Sequence, residues 1–92
     1  MMTSTFEAFR EQALAEGFDE IIVREWAPQL HLETHTHPFD VSACVVRGEY
    51  WLTTEHGVKH LKAGDTFRLA RHVPHSELYG PEGATVWVAR AN

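Results

Sequence analysis

A chain of 92 residues, 43% hydrophobic and 23% charged, has the make-up of one ordinary globular domain, which excludes disorder, collagen and coiled coil. Eight Lys and Arg against thirteen Asp and Glu leave a formal net charge of -5 with the basic residues scattered, so no nucleic acid is expected as a direct partner. The longest apolar runs, such as Val41 to Val46, fall far short of the ~20 residues that cross a bilayer. Met1 precedes polar residues rather than an export signal, and Cys44 is the sole cysteine, so the expectation is a cytoplasmic protein with no membrane partner.

In chain order, Ser4 is the expected cap of a first helix, and Glu7 three residues later completes a capping box. Phe6, Phe9, Ala13 and Leu14 recur at helical spacing, and Gly17 ends the run. One apolar stripe needs a surface, so residues 1–18 are expected to pack on a barrel or on a dimer partner. From Asp19 the texture changes to short runs rich in Val, Ile, Thr and aromatics, broken every eight to twelve residues by turn signals. The predicted strands are 20–26, 30–36, 41–47, 49–54, 58–61, 66–69, 75–79 and 84–90. Gly48 and Gly80 to Gly83 are among the predicted breaks. Eight strands behind a short N-terminal α-helix predict an all-β fold, a small antiparallel β-barrel or jelly roll over residues 19–92.

Histidine is over-represented, with seven at positions 31, 35, 37, 56, 60, 72 and 75. On a strand, residues two apart share a face, so His35 and His37 can converge on one ion, whereas a helix would splay them about 200° apart. A third ligand must come from elsewhere in the fold. His75 is the candidate, because it follows the turn at Val73 and Pro74 and opens a strand whose same face continues as Glu77 and Tyr79. Glu77, Asp40 and His72 are candidates for a fourth ligand or for a group that hydrogen-bonds a ligating imidazole. Glu77 and Tyr79 are also the candidates for proton transfer.

His31 and Glu33 share parity with His35 and His37, which sends Leu30 and Leu32 to the other face. Burial of both leucines in an interface is expected, with a bulge before His35 as the alternative. His56 and His60 are expected in solvent, and Cys44 reads as a small buried apolar residue rather than a nucleophile. Trp26, Tyr50, Trp51, Phe67 and Trp87 are assigned to core or dimer surface, with one or two walling a pocket.

The stretch from His35 to Gly48 resembles the first cupin motif, in which a pair of histidines one residue apart is followed by a glutamate and then a glycine. Val41 stands at the glutamate position, six residues intervening before Gly48, and Asp40 lies one residue earlier. Gly64 to His75, eleven residues apart, resembles the second motif, whose glycine precedes a strand and whose metal-binding histidine follows a turn. Ala70, His72 and Tyr79 replace the proline, glycine and asparagine of that motif. The resemblance covers roughly residues 19 to 90 and is to the smallest, single-domain cupins, or monocupins.

The resemblance implies a divalent transition metal on His35, His37 and His75, with a small organic molecule completing its shell. Fe, Zn, Ni, Mn and Cu all remain open, because nitrogen ligands alone do not separate them. The implied activity is oxygenase-like or isomerase-like; three-histidine iron centres among cupins are those of the thiol dioxygenases. A non-catalytic sensing or storage module is the alternative. The expected assembly is a homodimer.

Overall fold

Helix α1 spans Phe6–Ala15 in the computed structural model, which describes residues 5–92. The expected cap Ser4 lies outside the described residues. The N-cap is Thr5, whose Oγ1 accepts the Ala8 N–H at 3.1 Å and satisfies one of the four donors a helix start leaves open. With Thr5 as cap, Glu7 sits one position short of closing a capping box and contributes its negative charge to the first turn instead. Gly17, at φ 98°, ends the helix as predicted. The Phe18 N–H donates to the Ala13 carbonyl at 3.0 Å and that of Gly17 to Leu14 at 3.1 Å, a Schellman closure. Phe18 then packs with Ala13 against Ala89, laying the helix on the outer face of the sheet. No helix among the described residues is long and apolar enough to cross a membrane.

Six strands follow: β1 Glu20–Trp26, β2 His31–His35, β3 Asp40–Thr54, β4 Gly57–Lys62, β5 Thr66–Leu69 and β6 His75–Ala91. All their pairings are antiparallel. The predicted strands 41–47 and 49–54 are one strand of 15 residues, and 75–79 and 84–90 are one of 17. Gly48 and Gly83 act as corners rather than as breaks. Both have positive φ, 77° and 71°, and the β3 to β6 register shifts on either side of Gly48. A Cβ on Gly48 would run into the Gly83 carbonyl oxygen, and one on Gly83 into the Trp26 carbonyl oxygen. Only glycine lets the backbones cross there.

The two long strands therefore serve both ends of the barrel. The first part of β3 pairs with β5 and with the last part of β6, which also pairs with β1. The second part of β3 pairs with β4 and with the first part of β6, which also pairs with β2. Two four-stranded halves thus face each other across a shared core of Val41, Ala43, Val45, Ala84 and Val86 from one half and Tyr50, Leu52, Leu61 and Tyr79 from the other. Trp26, Tyr79 and Tyr50 stack in series, at 5.2 and 4.6 Å between ring centroids, along one wall of the interior.

Candidate metal centre

The position of the first histidine depends on a fault in the strand ladder. Leu32 pairs with Glu77 but His35 pairs with His75, so β2 uses three residues where β6 uses two. This bulge is the alternative weighed from parity alone, and it overturns the expected burial of Leu30 and Leu32 in an interface. Both leucines pack against the barrel core, and His35 still turns inward. His37 lies just beyond the end of β2, where the Phe39 ring stacks on it at 4.8 Å. Its carbonyl accepts the His72 backbone N–H at 2.8 Å.

His35, His37 and His75 come together: each offers a ring nitrogen within 4.8 Å of the others, and the ring centroids lie 4.3 to 4.9 Å apart. His75 is only 2% exposed. His35 Nδ1 lies 2.6 Å from the Glu33 carbonyl oxygen, and His75 Nδ1 lies 2.9 Å from that of Val73. A carbonyl oxygen only accepts, so both Nδ1 atoms carry a proton, and in the neutral ring each Nε2 is the lone pair. Those lone pairs face inward, and His75 Nε2 is buried with no hydrogen-bond partner.

Glu77 completes the convergence. Its Oε2 lies 3.6 Å from His35 Nε2 and 3.5 Å from His75 Nε2. Its Oε1 accepts the Tyr79 hydroxyl. Burial, and then the Glu77 charge, push the Tyr79 phenol far above its ordinary range, so Tyr79 stays a donor. Burial also lowers the pKa of His37, with smaller contributions from His75, His35, Arg90 and Arg24, which favours its neutral, ligating form. Three converging histidines, two of them with hydrogen-bonded Nδ1 groups and one with an orphaned Nε2, fit a divalent transition ion of borderline softness.

The other proposed ligands lie outside this group. Asp40 accepts the Arg71 backbone N–H at 2.8 Å and pairs with its guanidinium at 3.4 Å, contacts that hold its carboxyl below the usual range. It anchors the turn before β6. His72 occupies that turn at φ 67° with its ring exposed, and it positions His37 through the backbone alone. His56 is exposed, and His60 stacks on Trp51 and pairs with Glu49 at 2.7 Å on the outer surface. Cys44 is buried, which raises its thiol pKa.

The cavity beside the histidines measures about 140 Å³, and Trp26, Tyr50 and Phe67 wall it as one or two aromatics were expected to. Arg24 and Arg90 line it as well, and neither was singled out from sequence. A larger groove of about 510 Å³ runs between α1 and β5, and no histidine lines it.

Paired four-stranded halves around two long strands, with histidines gathered in one mouth, define a double-stranded β-helix of the cupin type, and solved structures bear this out. A conserved protein with a double-stranded β-helix domain from Klebsiella pneumoniae is 26% identical at TM-score 0.68, covering 82% of this chain and 68% of its own. The cupin domain of Cnp3 from Schizosaccharomyces pombe is 18% identical at TM-score 0.71, covering 82% and 57%. A variant of oxalate decarboxylase from Bacillus subtilis is 22% identical at TM-score 0.69, covering 78% and 20%. The chain thus spans about two thirds or less of each of these. No protein-family model and no curated protein matches it.

Proposed function

We propose that this protein binds one divalent transition-metal ion through His35, His37 and His75 and admits a small organic ligand to the adjoining cavity. One observation carries the reading: the ring nitrogens of three histidines converge within 4.8 Å, and the Nε2 atoms of His35 and His75 each lie within 3.6 Å of the same Glu77 oxygen while their Nδ1 atoms are taken by backbone carbonyls. His75 Nε2 is buried without a partner, and an unsatisfied buried group costs about 1–3 kcal/mol, which an ion among these atoms would relieve. When bound, such an ion supplies Lewis acidity and lowers the pKa of coordinated water.

The chain's own groups then have separate tasks. Tyr79 donates to Glu77 Oε1 and fixes the carboxylate, leaving Oε2 to face the ion. The aromatic and aliphatic walls keep water out. A carboxylate within the cavity, fixed by a tyrosine hydroxyl, favours an enzyme, oxygenase-like or isomerase-like, over a sensing or storage module. In the same reading the chain pairs as a homodimer, supported by the exposed Val58 and Leu78 on the outer face that carries Trp51. Sedimentation at micromolar concentration tests that pairing, and a monomer there removes it.

Elemental analysis of protein purified without a histidine tag tests the centre. One ion per chain is expected in the wild type and in His56→Ala and His60→Ala, with none in His37→Ala or His75→Ala. Metal retained by the last two overturns the assignment. Oxygen uptake by iron-loaded protein given thiols, phenols or keto acids then separates oxygenase turnover from plain binding.

A further inference from the structure

Arg24 and Arg90 lie in the half of the barrel opposite the one that supplies His35 and His75. Arg24 pairs with Val86 across β1 and β6, so it points to the interior, and it forms no ion pair with a carboxylate among the described residues. Its guanidinium carbon rests 4.4 Å above the Trp26 ring. Arg90 rests 4.6 Å above Phe39 and reaches Glu20 only at 3.7 Å, while its Nε is buried with no hydrogen-bond partner. Two under-used guanidiniums on the wall of a small cavity call for an acceptor from outside the chain.

We propose that the cavity takes a small carboxylate with a short apolar body, its charge held by Arg24 and Arg90 and its body lying against Phe39, Leu69 and Val88. The proposal rests on the metal reading above and names the class of ligand for that site. With a divalent ion in place, Glu77 offsets only part of the positive charge of the ion and the two arginines, and an anionic ligand supplies more of the balance. Guanidinium matches a carboxylate edge-on with two parallel hydrogen bonds, geometry that a neutral amide does not reproduce. A volume of about 140 Å³ limits the ligand to a single ring or a short branched chain, since each water in the liquid takes about 30 Å³.

Calorimetric titration of the full chain, zinc-loaded and metal-free, with benzoate and with benzamide tests this, because the two probes share a shape and differ in charge. Benzoate is expected to bind at least tenfold more tightly than benzamide. Arg24→Gln and Arg90→Gln should each weaken benzoate at least tenfold while leaving zinc stoichiometry and benzamide affinity unchanged. Arg24→Lys, which keeps the charge but loses the fork, should fall between; with Arg24→Gln it carries the test if Arg90→Gln fails to fold. Equal affinity for acid and amide, or benzoate binding indifferent to Arg24, on protein that holds zinc overturns the proposal and leaves the metal centre standing. A chain that takes no zinc yet still prefers benzoate through these arginines overturns the metal centre and keeps the carboxylate site.

Discussion

Burial at His75 excludes water from Nε2, while the Val73 carbonyl claims the opposite nitrogen. A ligating nitrogen needs a neutral ring, and the fold moves His37 that way. Its folded pKa lies below the ~6.5 of a free imidazole. Between those two values the unfolded chain binds a proton that the folded chain refuses. Metal-free protein should therefore lose stability as pH falls from about 6.5 through the lowered value, and His37 should contribute no slope above it. Urea midpoints of wild type and His37→Asn at pH 8 and pH 5 check this, and an unchanged difference between the two proteins contradicts it. Bound metal should leave as pH drops below about 6, because ligating imidazoles must be neutral; flat occupancy from pH 8 to pH 4 speaks against histidine ligation. His35 and His37 were legible as a pair two residues apart, although His37 lies just beyond the strand, and His75 as the residue after a turn, with Glu77 and Tyr79 following on its face. Asp40 and His72 were not separable from the three clustered histidines, since only tertiary structure shows Arg71 claiming the first and a turn holding the second. Arg24 and Arg90 were missed because an arginine in an alternating strand ordinarily reads as solvent-facing.

Among the elements, β1 and β5 match their predicted bounds, because each is short, regular and flanked by turn residues. β3 and β6 were each divided in two at glycines that bend a strand without ending it, and alternation alone does not tell a corner from a turn. The bulge in β2 was foreseeable only as one of two ways to reconcile Leu32 with His35. Substitution separates the kinds of glycine. Gly17→Ala meets open space and should cost only the left-handed backbone term, about 1–2 kcal/mol. Gly48→Ala adds a collision with backbone on β6 and should cost more than roughly 3 kcal/mol. Denaturant unfolding of the two variants checks the order, and equal losses would show that the corner relaxes freely.

For the molecule as a whole, a chain of 92 residues supports a thin core, which an ion held only by the folded state would reinforce. Free metal at a hundredfold excess over Kd adds about 2.7 kcal/mol, so chelation should lower Tm by roughly 10 °C or more. No change in Tm on chelation contradicts occupancy in the starting sample. The crossing at Gly48 and Gly83 carries a mechanical consequence. The imidazoles of His35 and His75 hang from one jaw of the barrel and the guanidiniums from the other, with those glycines as the pivot between them. Whatever is gripped by both jaws clamps the pivot, so amide hydrogens around Gly48 should exchange more slowly with solvent when ion and anion are bound together than with either alone.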